Sequence, residues 1–155
     1  MSTGRLPGAT PHARAGGLQF VPQIHRVTHR IGLHVETLRG LRVTQGEAHV
    51  LAYLATAGDA TIGEVHRAFA HKRSTLTSTL DRLADRGLIV RASDARDRRT
   101  FLVRLTRRGR AAARQVVRHL EQFEQAVLGQ TSARDVEAFL RVLDAFDRAA
   151  GPDAG

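Results

Sequence analysis

The sequence predicts a mainly α-helical fold carrying one small β-hairpin. Three observations lead there. Apolar residues recur at helical spacing through most of the chain from Leu18 onward. Ser/Thr-x-x-Asp/Glu signals stand at Thr44, Thr61 and Ser132, each just ahead of a new apolar stripe. In the middle, Leu88-Ile89-Val90 and Phe101 to Leu105 read as two strands joined by a polar loop.

The elements follow in chain order. Residues 1–17 are rich in Gly, Pro and Ala, show no apolar period, and are expected to form a disordered arm. Phe20, Ile24, Val27, Ile31, Val35 and Leu38 then form the stripe of a first helix. Thr44 and Glu47 open a second helix carrying Ala48, Leu51, Leu54 and Ala55, and Gly58 ends it. Thr61 and Glu64 open a short third helix with Val65 and Phe69 inside. After a tight turn at residues 70–72, Leu76, Leu80 and Leu83 mark a fourth helix, which Gly87 stops. The hairpin comes next. Thr106 caps a long fifth helix with Ala112, Val116, Leu120, Phe123 and Val127 as its stripe. Ser132 and Asp135 start a last helix, striped by Val136, Phe139, Leu140, Leu143 and Phe146.

Charge narrows the function. The chain has 155 residues and a formal net charge of +9. Residues 1–61 carry +3, residues 62–119 carry +10, and residues 120–155 carry −4. A charge needed only for solubility has no reason to concentrate, whereas a surface for a polyanion does. There is no Cys, which excludes disulfides and thiol sensing. No apolar run approaches a membrane span, and no signal-peptide core is present, so a cytoplasmic protein without a membrane partner is expected.

The order of helix, helix, turn, helix, strand, charged loop and strand places the basic segment on a winged helix-turn-helix. In that motif the second helix enters the major groove of duplex DNA. Here it is the segment starting at Arg73. Its leucines are the buried side, and the other side offers Lys72, Arg73, Ser74, Thr75, Thr77 and Ser78. Hydroxyls and cations suit base edges and phosphates. The loop at the hairpin tip holds Arg96, Arg98 and Arg99 beside Asp94 and Asp97. Arginines on a narrow ribbon can enter a minor groove, with the aspartates bracing them.

These segments together carry a resemblance. The run from Arg73 to Arg91, then Asp94-Ala-Arg-Asp-Arg-Arg99, then Val103 to Thr106, resembles the MarR family of bacterial regulators. The family's wing signature, D-x-R-D-x-R, is matched by Asp94, Arg96, Asp97 and Arg99. The resemblance implies a regulator, usually a repressor, that binds an inverted-repeat operator as a homodimer. It assigns residues 18–42 and 107–150 to dimerisation and residues 43–106 to the DNA-binding domain. It also implies that Asp97 orients the wing and Arg99 reaches the minor groove. Two positions depart from the family pattern. His66 stands where a small residue is usual, and His71 where an apolar one is common.

Many family members release DNA when a small aromatic or phenolic effector binds between the dimer base and the winged domain. The residues nominated for such a cleft are His25, His29, His49 and Tyr53. His25 and His29 stand at i, i+4, a spacing that also suits a metal, with Glu36, Glu47, His49 and His119 as companions by type. No cofactor and no metal site are assigned, and a metal-responsive regulator is kept as an alternative. A sequence-neutral architectural DNA-binding protein is another. The enzyme class is set aside, because the chain lacks the nucleophile, nucleotide-loop and metalloprotease motifs.

Overall fold

The computed structural model describes residues 18–38, 40–69, 73–93 and 101–151. The arm at 1–17 lies outside them. The elements run α1 (Val21–Glu36), α2 (Gln45–Ala57), β1 (Ala60–Thr61), α3 (Ile62–Phe69), α4 (Arg73–Asp85), β2 (Ile89–Ser93), β3 (Phe101–Leu105), α5 (Arg107–Leu128) and α6 (Ala133–Ala150).

Local chemistry sets the helix boundaries. At α2 the Thr44 hydroxyl accepts from the Glu47 N–H at 3.3 Å, and the Glu47 carboxylate accepts from the Thr44 N–H at 3.0 Å. Thr61 and Glu64 repeat the reciprocal pair at α3, with distances of 2.7 and 3.1 Å. Ser132 and Asp135 do the same for α6. These bonds favour the charged carboxylates. Glu64 sits below its ordinary titration range chiefly through the Thr61 backbone N–H, and Asp135 chiefly through the Ser132 hydroxyl.

The stop after α4 uses a left-handed residue. Gly87 has φ +64°. Its N–H reaches the Ala84 carbonyl at 2.8 Å, and the Leu88 N–H reaches the Leu83 carbonyl at 2.9 Å. The turn therefore closes with Leu83 and Leu88 both buried beneath it.

The three strands form an antiparallel sheet in the order β1-β3-β2. Ile89 pairs with Leu105 and Ser93 with Phe101 across the hairpin, and Ala60 pairs with Val103 on the other side of β3. The expected strand Leu88-Ile89-Val90 is shifted: Leu88 lies in the bend, and pairing runs on to Ser93. Strand β1 is not visible in the sequence. Two residues carry no alternation to read, and the pairing depends on β3 arriving beside them.

The core gathers under α2 and α4. Leu51, Val65, Leu76, Leu80, Leu83, Leu88, Ile89, Val103 and Val116 are all fully buried. The α5 start is pinned against this core. The Thr106 hydroxyl donates to the Gly87 carbonyl at 2.7 Å and accepts from the Gly109 N–H at 2.9 Å. Gly109 meets the Leu88 carbonyl so closely that a Cβ would stand 1.8 Å from the oxygen.

The outer helices differ. Helix α6 has no buried residue, and Phe139 and Leu140 are each 57% exposed. On α1, Val35 is buried, Ile24 and Ile31 are half-buried, and Phe20 and Val27 are exposed. Phe20 meets Phe146 edge to face, with ring centroids 6.1 Å apart.

Two outcomes follow for stability. Gly109→Ala forces backbone against backbone, and chemical denaturation should show a loss of about 2–3 kcal/mol. Glu64 titrates low in the folded chain, so its contribution is full above the ordinary carboxylate range and fades as pH falls through the lowered value. Glu64→Gln should therefore flatten the acid limb of the stability–pH curve and leave its slope near neutrality unchanged.

Candidate nucleic-acid interface

Helix α4 presents two chemically distinct sides. Leu76, Thr79, Leu80 and Leu83 are buried, while Ser74, Thr75, Thr77 and Ser78 are exposed. The Ser78 and Thr79 hydroxyls both donate to the Thr75 carbonyl, at 3.0 and 2.9 Å. Ser78 thus keeps its oxygen lone pairs outward, whereas the Thr79 hydroxyl also accepts from Arg82 Nη2 at 3.2 Å.

One buried carboxylate fixes the far half of the helix. The Glu47 side chain is 4% exposed. Arg82 Nε donates to its Oε1 and Arg86 Nη1 to its Oε2, both at 3.1 Å. Oε2 also takes the Thr44 N–H. A single carboxylate therefore caps α2 and ties it to α4, with three donors offsetting the cost of burying its charge. The capping role is legible in the sequence. The clamp is not, because its arginines lie 35 and 39 residues away.

Between α3 and α4 runs a groove of about 460 Å³, lined by Ile62, Gly63, His66, Arg67, Leu76 and Thr77. His66 is half-buried there, directly beside the exposed side of α4. Around the sheet, Arg91 pairs with Asp81 at 2.6 Å and Arg104 with Asp59 at 2.7 Å. These ion pairs join β2 to α4, and β3 to the turn before β1.

Of the residues nominated from sequence, Ser74, Thr75, Thr77 and Ser78 come together on one exposed surface. Arg73 opens α4, but its side chain lies outside the described residues, as do Lys72 and His71. The wing residues Asp94, Arg96, Asp97, Arg98 and Arg99 also lie outside them.

The effector nominees separate. His49 and Tyr53 of α2 line a cleft of about 330 Å³ against α5, and Phe69 at the end of α3 joins them. The Tyr53 and Phe69 rings meet edge to face at 5.5 Å, and the His49 ring lies nearly parallel to Phe69 at 6.3 Å. His25 and His29 are exposed on α1 and are not among the residues lining this cleft. Two of the proposed metal companions are engaged elsewhere. Glu47 is held by its arginines, and His119 stacks on His34 with centroids 4.3 Å apart while its Nε2 meets the His34 carbonyl at 3.0 Å. Among the described residues, no three His, Asp or Glu side chains are grouped as a metal site. The sequence reading did not single out Phe69, Glu121 or Glu124 for the cleft. The spacing of 117, 120, 121 and 124 on one side of α5 was the available signal.

Comparison with known proteins places this arrangement. Residues 40–100 match the model of the MarR family. The chain is 26% identical over 132 residues to the uncharacterised HTH-type transcriptional regulator YwhA of Bacillus subtilis, covering 85% of this chain and 88% of that one. Two solved MarR-type structures are similar throughout. BpsR of Bordetella bronchiseptica, whose DNA binding is regulated by 6-hydroxynicotinic acid, is 26% identical, with a TM-score of 0.68 over 85% of this chain and 98% of that one. Wild-type apo MarR from E. coli is 26% identical, with a TM-score of 0.62 over 84% and 97%. The fold is that of a winged-helix transcription regulator, mainly helical with a small antiparallel sheet.

Within this winged-helix fold, the Glu47 clamp yields a direct test. Glu47→Ala should cost roughly 2–3 kcal/mol in urea unfolding, because it strips a cap and leaves Arg82 and Arg86 without their acceptor. Glu47→Gln, which can still accept from Thr44, should lose less.

Proposed function

We propose that this chain is a homodimeric repressor that binds an inverted-repeat operator and is released by a small-molecule effector. The observation that carries the DNA-binding part is the hydroxyl-rich exposed side of α4, on a helix whose other side is locked into the core. Ser74, Thr75, Thr77 and Ser78, with Lys72 and Arg73 at the helix start, would read the major groove. The wing residues Asp94, Arg96, Asp97, Arg98 and Arg99 would serve the adjacent minor groove, with Arg99 inserted and Asp97 orienting it.

Dimerisation is supported by the outer helices. Exposed Phe139, Leu140 and Leu143 on α6, with Val27 and Leu33 on α1, form more apolar surface than a lone subunit normally leaves in water. Residues 18–42 and 107–150 would supply that interface, and residues 43–106 the DNA-binding domain. The regulator would act in the cytoplasm, where its operator lies. Among the described residues, no helix is long and apolar enough to cross a membrane. The effector part is supported by the aromatic cleft at His49 and Tyr53, and by the ligand-regulated DNA binding of BpsR.

Footprinting on the intergenic DNA next to the gene tests the reading. Two protected half-sites about one helical turn apart are expected. Uniform affinity for unrelated duplexes would instead make the chain an architectural binder. Arg99→Ala should sharply reduce operator affinity while gel filtration still shows the dimer. Replacing Thr77 or Ser78 should shift sequence preference by about 1–3 kcal/mol per lost base contact.

A further inference from the structure

The cleft between α2 and α5 has a charge as well as a shape. Ala52, Val117 and Leu120 give it an apolar lining, and its aromatic side is built from His49, Tyr53 and Phe69. The remaining polar contribution from α5 comes from Glu121 and Glu124, three residues apart on the same side of the helix. Among the described residues lining it there is no Lys or Arg, and His49 is the one basic side chain. The chain as a whole is strongly basic, so two carboxylates with no Lys or Arg among the described lining residues run against its average.

We propose that this cleft binds an aromatic cation, a flat one- or two-ring molecule carrying an ammonium or similar group. The proposal rests on the effector reading above and names its ligand class. Three physical terms agree. The volume of about 330 Å³ lies at the small end of organic-ligand sites. The faces of Tyr53 and Phe69 carry the negative side of a ring quadrupole, which attracts a cation. The two exposed carboxylates at the rim add a Coulombic attraction for a cation that a neutral ligand would not feel. An aromatic acid of the same size would gain the same apolar contact, but its charge would face two like charges with no Lys or Arg among the described lining residues to offset them.

The test uses the full-length chain and three matched probes: 1-naphthylmethylammonium, 1-naphthylmethanol and 1-naphthoate. Binding is read from naphthalene fluorescence, and operator affinity is measured in parallel. The ammonium is expected to bind about tenfold tighter than the alcohol, and the carboxylate weakest. Changing Glu121→Gln and Glu124→Gln together should bring the ammonium down to the alcohol while the alcohol's affinity holds. Both side chains are exposed, so the fold should tolerate the change. Tightest binding by naphthoate, or an ammonium preference that survives the double change, overturns the proposal. Naphthoate binding that also releases the operator would leave the effector reading standing and remove only the charge assignment. Failure of all three probes to bind would remove both.

Discussion

Helix α4 must be held rigidly while one of its sides stays polar and open. Two interactions of different kinds meet that constraint. Leu76, Leu80 and Leu83 bury one side in the core. The carboxylate of Glu47 then grips the C-terminal half through Arg82 and Arg86. Burial alone is non-directional and would tolerate some rotation about the helix axis. Paired, charge-assisted hydrogen bonds fix orientation. Together they determine which side chains face outward, so the chemistry of that surface depends on packing some distance from it.

The same economy recurs at the base of the hairpin. Gly87 ends α4, Thr106 reaches back to its carbonyl, and Gly109 lets α5 approach the Leu88 carbonyl. One small region therefore sets the exit of α4, the root of the hairpin and the entry of the long α5. Movement of α5 would be transmitted to α4 through these contacts. The aromatic cleft lies further along α5, so the proposed effector would act on a helix joined to α4 through these contacts. Such coupling needs differential contact in two states, and the cleft supplies a place for it.

The His34–His119 stack belongs to the same mechanical chain. It joins α1 to α5, with Phe123 against His34 at 4.8 Å. Helix α1 is otherwise lightly held: of its stripe only Val35 is fully buried, and Gly32 lies close against Gln45. Val27 and Leu33 on it, like Phe139 and Leu140 on α6, stay exposed among the described residues. Apolar surface of this kind is what the proposed dimer would cover.

Much of this was determined by sequence alone. Four helix starts were legible because each cap is local: Thr44, Thr61, Thr106 and Ser132 act on N–H groups three residues away. The α4 leucines were legible because the helical period is also local. The hydroxyl surface from Ser74 to Ser78 followed as their complement. What only the tertiary structure decided was every pairing across long separation. Strand β1 exists because β3 lies beside it, Glu47 is a clamp because α4 folds across α2, and Phe69, Glu121 and Glu124 meet Tyr53 because three helices converge. It also parted His25 and His29 from His49 and Tyr53, which spacing along the helices had grouped together. Periodicity and capping are properties of a few neighbouring residues, whereas a buried ion pair or a cleft is a property of which surfaces meet.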